Sequence, residues 1–412
     1  MSYDDEAGAP GSSNGSGPLD GSGPLDGTVV LDMTRALAGP HAGMMLGDLG
    51  ARVIKIESPN GDDSRGWGPP FLGDGDDRES TYFMSANRNK ESITLDLKDA
   101  GDKDVMTRLV RRADVLMENF RVGVLDRLGF SVERLHELNP RLVILSITGF
   151  GHDGPEAQRA GYDQIAQGEA GLMSITGTEE PTKVGVPIAD LLAGMNGAYG
   201  TVAALYEREH TGRGKVVRTS LIAGVIGVHA FQGTRWTVGG EVPGLAGSHH
   251  PSIAPYGLFH TATAPIQLSC GSEVLWKKFA PAVGVDAEDR RFVTNSDRVA
   301  NKDALIEQLN SIFAEHPAEY WLEVLTDAGI PSGKVRSIDE VYEWDQVLSQ
   351  GLRVEVDHAT KGRLSLPGPV LRLDDNDYGG ARKQNIAPPT LGQHNASVRA
   401  WLDETEDEYP AD

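Results

Sequence analysis

Short apolar, β-branched runs alternate with amphipathic stretches through the first half of the chain. Thr28-Val-Val-Leu-Asp-Met33, Arg52-Val-Ile-Lys-Ile-Glu57, Ser92-Ile-Thr-Leu-Asp-Leu97, Ala113-Asp-Val-Leu-Met-Glu118 and Arg141-Leu-Val-Ile-Leu-Ser146 read as strands. Helical spacing between them predicts helices over about 41–49, 100–112 and 133–138. Such alternation predicts an α/β protein with a mainly parallel, doubly wound sheet. Lys215–Ser220 reads as another strand, and one long helix is expected through about 220–238. From Tyr256 to about Ile330 the elements shorten, with a helix over Trp276–Val283, which predicts a smaller second domain. A helix from Ser337, strands at Leu352–Val356 and from Leu364, and a helix after His394 follow.

The stretch Lys183-Val-Gly-Val-Pro-Ile-Ala-Asp190-Leu-Leu-Ala-Gly194 breaks this rhythm. An apolar run leads to one carboxylate and then to a helix rich in small residues, among them Gly194, Gly197, Ala198, Gly200, Ala203 and Ala204. Asp at such a junction reads first as an N-cap. A helix N-terminus also favours the ionised carboxylate, the form a covalent Asp nucleophile needs. The first strand, a Gly-containing turn, a helix and a strand ending in Glu57 make a nucleotide-type βαβ pattern. Gly39, Gly43, Gly47 and Gly50 do not spell G-x-G-x-x-G, which weakens a dinucleotide reading. Ligands in this class sit beyond the carboxyl ends of strands, so the loops 34–40, 119–123 and 149–163 are candidates. Arg35, Lys98 and Arg127 follow or border strand ends; each alone reads first as a solvated charge, and their shared placement beside candidate ligand loops favours contact with a phosphate. No G-x-S-x-G elbow stands at a strand-to-helix turn, and there is no H-E-x-x-H, C-x-x-C or P-loop. His249-His250 has no carboxylate or thiol at ligand spacing, so no metal site is expected.

Charge narrows the classes further. The 412 residues carry 60 acidic against 38 basic side chains, a net charge of −22 dispersed along the chain with few lysines. This reads as adaptation to a salt-rich interior and argues against nucleic-acid binding. One cysteine, Cys270, excludes an internal disulfide and reads as a buried structural thiol. No apolar run is long enough to span a bilayer and no secretory signal opens the chain, so a cytoplasmic protein is expected. Residues 1–26 read as a disordered Gly/Ser/Pro tail in which Gly-Ser-Gly-Pro-Leu-Asp is written twice.

An ordered set of segments resembles the family III CoA-transferases, the formyl-CoA transferase and carnitine CoA-transferase group. The set comprises Val30–Pro40, Asp48–Glu57, Asn87–Lys98, Ala113-Asp-Val through Glu118-Asn-Phe120, and Asn139-Pro-Arg-Leu through Gly149-Phe-Gly151. It continues with Gly161-Tyr-Asp163, Pro187-Ile-Ala-Asp190, Thr211-Gly-Arg-Gly214, His250-Pro through Pro255-Tyr256, Gly329-Ile-Pro-Ser-Gly333 and Leu391-Gly-Gln-His394. The resemblance runs from about residue 27 to 400. It implies a large Rossmann-like domain built from both chain ends (27–222 and 337–412), a linker helix with a small domain (223–336), and two interlocked protomers.

It also implies roles. Asp190 takes the catalytic position. Arg35, Ala36, Leu37 and Ala38 form the CoA-contacting loop, and Leu95, Asp96, Leu97, Lys98, Asn119, Phe120 and Arg127 supply adenine and phosphate contacts. Ala160, Gly161, Tyr162 and Asp163 lie beside the reacting acyl group. CoA thioesters enter as substrates and no permanent cofactor or metal is implied. Leu37 replaces the glutamine of formyl-CoA transferases, and their glycine run is missing between 235 and 265, which argues against oxalate as acceptor. Salt adaptation points instead to succinyl-CoA as donor and mesaconate as acceptor, as in the methylaspartate cycle of halophilic archaea. Citramalate, oxalate and carnitine-like acids are the alternative acceptors. α-Methylacyl-CoA racemization is the alternative chemistry, but Tyr162 stands where its partner base, a histidine, is required.

Overall fold

A computed structural model of the chain describes residues 23–373 and 380–404. Its contacts define two units. One takes the described residues of Met1–Gly161, Asp190–Gly224 and Ser349–Asp412, and the other Tyr162–Ala189 and Val225–Leu348. The expected tail lies outside the described residues up to position 22. Residues 23–26 form a turn in which Leu25 is buried and its N–H donates to Leu49 O at 3.0 Å.

The strands in chain order are β1 (Val29–Asp32), β2 (Arg52–Glu57), β3 (Phe71–Leu72), β4 (Glu79–Ser80), β5 (Lys90–Thr94), β6 (Val115–Glu118), β7 (Val143–Thr148), β8 (Val216–Ser220), β9 (Tyr256–His260), β10 (Pro265–Ser269), β11 (Ser332–Lys334), β12 (Arg353–His358) and β13 (Gly362–Pro367). In the first unit six of them form one sheet in the order β5-β2-β1-β6-β7-β8, every pair parallel. The expected α/β sheet is therefore present. Its strands are buried almost throughout, as in a parallel sheet covered by helices, and β6 and β7 are buried at every position. Helix Ala100–Arg112 turns Val105, Met106, Leu109 and Val110 onto the sheet. The Asp99 carboxylate accepts from the N–H groups of Gly101 and Asp102 and starts that helix.

The chain winds outward from β1 through β2 to β5, then returns to lay β6 against the other side of β1. The order reverses between β1 and β6, and a ligand crevice is expected above that switch point. The C-terminal segment closes the β5 edge. Ser92 N–H donates to His394 Nδ1 at 3.0 Å and Thr94 N–H to Asn395 Oδ1 at 2.8 Å. The helix that follows, Asn395–Glu404, buries Val398 and Leu402 in the same core as Leu31, Ile54 and Leu116.

The second unit carries an antiparallel sheet in the order β11-β10-β9. Phe259, Trp276, Phe279, Phe292, Phe313 and Trp321 pack with Cys270 in its core. The Cys270 thiol is buried, as expected, and burial pushes it up to about 12. Fully buried Arg298 donates to the carbonyls of Ala254, Phe292 and Val293 and stacks on Trp276, with its centroid distance 4.6 Å.

The single helix expected over 220–238 is two helices, Leu221–Gly227 and Ala230–Thr237. Ala230 has φ +47°, a left-handed value that interrupts the ladder. An apolar pattern on both sides of Val228-His229 conceals that break. Among the described residues no helix is long and apolar enough to cross a membrane.

Candidate active site

Above the switch point, the loop after β1 is held from below by buried charge. Asp32, Lys55, Asp62 and Lys90 have fully buried side chains. Lys90 Nζ pairs with Asp32 at 2.8 Å and donates to Pro40 O at 2.7 Å and Asn87 Oδ1 at 2.9 Å. Lys55 Nζ donates to Thr34 O at 2.8 Å and lies 2.9 Å from Asp62 Oδ2, an ion pair by distance whose geometry is not that of a hydrogen bond. Asp62 Oδ1 accepts from Ala36 N–H at 3.1 Å, and Thr34 N–H donates to Asp32 at 3.0 Å. These bonds hold Ala36 at φ +65°, a position most side chains avoid.

Burial pushes the Asp32 carboxyl upward, but the ammonium groups of Lys90 and Lys55 outweigh it and hold it below its ordinary range. Burial acts the other way on Lys55, where Asp32, Asp62 and Glu57 prevail and raise it. For Lys90 burial wins and lowers it to about 8. The four side chains therefore form a charge-balanced platform under residues 34–40.

The loop after β6 grips the same segment from the side. Arg35 N–H donates to Asn119 Oδ1 at 2.9 Å, and Asn119 Nδ2 donates back to Arg35 O at 2.8 Å. The Arg35 guanidinium lies 5.4 Å from the Phe120 ring centroid. Phe120 N–H donates to Glu118 Oε2 at 2.8 Å, Ser146 Oγ bonds the other Glu118 oxygen, and His152 Nε2 is 2.7 Å from that hydroxyl. Burial raises the Glu118 carboxyl above its ordinary range, against the Ser146 and Phe120 hydrogen bonds, and lowers the His152 imidazole below its own.

Between the two loops lies a cleft of about 470 Å³. Arg35, Leu95, Asp96, Leu97, Lys98 and Phe120 line it, together with Glu57 and Asp62. Ala36, Leu37, Ala38, Asn119 and Arg127 are not in its lining. Ala36 and Asn119 brace the wall, Leu37 and Ala38 are buried at the start of helix Ala38–Asp48, and Arg127 is exposed at the end of helix Val124–Arg127. Glu57, the acid at the end of β2, accepts from Arg65 at 2.7 and 2.8 Å and from Ser92 Oγ at 2.7 Å. In a dinucleotide fold that acid receives ribose hydroxyls. Here its lone pairs are taken by protein donors.

Asp190 is the third residue of helix Ile188–Thr211, inside the first turn. It is therefore not the N-cap residue itself, and Asp163 Oδ1 accepts from the N–H of Ala189, one residue before it, at 2.8 Å. A carboxylate in the first turn still faces the positive end of the helix dipole. One turn on, Gly194 meets the start of helix Ala38–Asp48, where a Cβ would stand 2.5 Å from Ala38 O and 3.3 Å from His41 Cδ2. Only glycine allows that approach. Of the remaining expected site residues, Ala160 is exposed, Gly161 packs on the Gly149 backbone, and Tyr162 is 68 % exposed.

His41, not foreseen from sequence, sits at this contact. Burial lowers it to about 4, with Arg88 and Lys90 acting in the same direction. The unfolded chain binds a proton there near pH 6.5, so the folded state holds fewer protons between those values. Stability is full above about 6.5 and is lost as pH falls toward about 4, by at most about 3 kcal/mol. Denaturant titrations across that range are expected to show the slope in the parent chain and a flatter one in His41→Gln.

The profile of CoA-transferase family III matches residues 25–395. The acetyl-CoA:oxalate CoA-transferase of Acetobacter aceti is 39 % identical over 89 % of this chain and 92 % of its own. The succinyl-CoA:glutarate CoA-transferase of Homo sapiens is 38 % identical over 89 % and 83 %. The succinyl-CoA:mesaconate CoA-transferase of Haloarcula hispanica is 32 % identical over 89 % and 93 %. The crystal structure of a CAIB/BAIF family protein from Brucella suis superimposes with a TM-score of 0.82 at 38 % identity, covering 93 % of this chain and 100 % of that one.

Proposed function

The chain belongs to CoA-transferase family III, and from that premise we propose that it moves CoA from succinyl-CoA to a small dicarboxylic acid through covalent steps on Asp190. CoA thioesters are the substrates of the family, and no resident cofactor takes part. One observation carries the reading. The close approach at Gly194 seats the first turns of the Asp190 helix against the start of helix Ala38–Asp48, directly after the loop that walls the cleft. The engaged Glu57 supports a phosphorylated ligand there, since Arg65 and Lys55 hold its charge inside the protein and Arg35 and Lys98 remain on the cleft wall.

The reaction proceeds by exchange of acyl bonds. An Asp190 oxygen attacks the thioester carbonyl, the C–S bond breaks, and a mixed anhydride and CoA thiolate result. The thiolate attacks the aspartyl carbon, the anhydride bond breaks, and the donor acid leaves as a carboxylate. The aspartyl-CoA thioester then meets the acceptor carboxylate, and the same two steps run in reverse. Over the full cycle one acyl thioester is exchanged for another of similar energy, so no other energy source is needed. The protein's part is to keep thiolate and carboxylates in register, since held reactants gain most where the nucleophile is weak.

Mesaconate remains the first acceptor to test, on the dispersed acidic charge. Relatives of higher identity are named for oxalate and glutarate, so those acids belong in the same panel. An interlocked second copy is part of the reading. It is supported by Met195, Tyr199, Val202 and Tyr206, which stand 48 %, 78 %, 36 % and 71 % exposed along the Asp190 helix.

The test is thioester exchange in molar KCl. Succinyl-CoA is incubated separately with mesaconate, glutarate, oxalate, citramalate and carnitine, and the esters are resolved by mass. A mesaconyl-CoA product supports the full reading. Exchange with another dicarboxylate keeps the mechanism and replaces the acceptor, and exchange with carnitine alone or no exchange overturns the dicarboxylate reading.

A further inference from the structure

The first N–H groups of a helix need acceptors, and at the Asp190 helix one of them comes from another helix, while Ile188 N–H is taken locally by Val186 O at 2.8 Å. Asp163 opens helix Asp163–Glu169, and its Oδ1 takes the N–H of Ala189, the residue before Asp190. Its other oxygen, Oδ2, accepts from Gln167 Nε2 at 2.7 Å. Gln167 lies four residues on, on the same helix face, and is fully buried. Its Oε1 accepts from Val184 N–H at 2.9 Å.

The partners fix how this amide is turned. A carboxylate accepts and a backbone N–H donates, so Nε2 must face Asp163 and Oε1 must face Val184. Burial removes water as a substitute partner. The segment 184–189 is thereby pinned to one short helix at both ends, directly by Gln167 and through Asp163. The N–H of Ala189, the residue before Asp190, is thus taken by a carboxylate from another helix.

We infer that Gln167 is a positioning residue for the transfer reaction, acting through Asp163 to set where the Asp190 helix begins and so where the Asp190 carboxylate points. The inference rests on the reading of Asp190 as nucleophile. Neither Gln167 nor the capping bond is visible in the periodicity; the only signal in the sequence is an Asp and a Gln at i, i+4 after Gly161-Tyr162.

The test compares Gln167→Met, Asp163→Ala and the double variant, with Asp190→Ala as control. A displacement of about 1 Å in a reacting group costs about 100-fold in rate, so Gln167→Met is expected to lower kcat by roughly 10- to 100-fold. KM for succinyl-CoA is expected to stay within about twofold, because the cleft residues are untouched. Because Gln167 acts through Asp163, the double variant is expected to be no slower than Asp163→Ala. Unchanged kcat, a rise confined to KM, or additive losses in the double variant would overturn the inference. If Gln167→Met does not fold, Gln167→Glu sets a carboxylate against Asp163 and is judged by the same three readouts. Turnover retained in Asp190→Ala would remove the underlying reading, whereas a dead Asp190→Ala beside a fully active Gln167→Met would remove this inference alone.

Discussion

Asp190→Ala is expected to lower kcat for CoA exchange by at least about 10⁴-fold, the scale on which loss of a covalent nucleophile acts, with CoA affinity within a few-fold of the parent. The two effects separate because the cleft is built by other residues, among them Arg35, Lys98 and Phe120. In the parent, intact mass after incubation with succinyl-CoA is expected to show a CoA adduct, and peptide mapping to place it on Asp190. The adduct is absent from the variant. Asp190→Glu is expected to be nearly as slow, since an added methylene moves the oxygen by more than the register of the reaction tolerates. The helix that carries Asp190 runs unbroken from Ile188 to Thr211, so the error has no flexible segment to absorb it. Titration calorimetry with CoA and a turnover assay on the same preparations check both halves of the result.

Lys55→Met is expected to cost about 3–5 kcal/mol of folding stability, the range for removing one partner of a buried ion pair. Asp32 keeps Lys90 at 2.8 Å, but Asp62 loses the cation 2.9 Å away while still enclosed. The damage is expected to reach function, because Asp62 lines the cleft and also holds the N–H groups of Ala36 and Ser64 behind it. Chemical denaturation gives the stability loss, and KM for succinyl-CoA is expected to rise in the fraction that folds. Lys55→Met combined with Asp62→Leu removes the orphaned charge and is expected to recover part of the stability. Part of the loop order stays lost, since the acceptor for Ala36 N–H is gone. A stability equal to that of the single variant would show that the unpaired Asp62 is not the cause.

The parallel sheet was legible because β-branched runs such as Val29–Asp32 and Val143–Thr148 have no other good use. Boundaries slipped where a strand carries charge. The strand expected from Ser92 to Leu97 begins at Lys90 and ends at Thr94. Lys90 and Glu91 lay outside the expected strand, whereas both are buried within it and paired with Asp32 and Arg52. Lys55 gave a clue of the same kind, as a lone cation at an inward position between Ile54 and Ile56. Asp190 stood out by its surroundings, but its capping partner comes from Asp163 by way of a segment with no periodic pattern. Glu118, Ser146 and His152 were missed for a related reason, since three elements must fold before they meet. Local sequence reports local structure well, and it reports pairing between distant polar groups hardly at all.

The late closure of the sheet has a bearing on how the protein is made. The β5 edge receives its cover from His394 and Asn395, and Ser92 and His394 are 302 positions apart. At roughly 5–20 residues per second of synthesis, a ribosome needs about 15–60 s to supply that cover. During this interval a nascent parallel sheet presents an open row of backbone donors and acceptors, the kind of surface on which chains join one another. Ribosomes close together on one message would hold several such edges side by side. A holdase that shields the nascent edge, or slow spacing of ribosomes, is therefore expected to raise the yield of this protein.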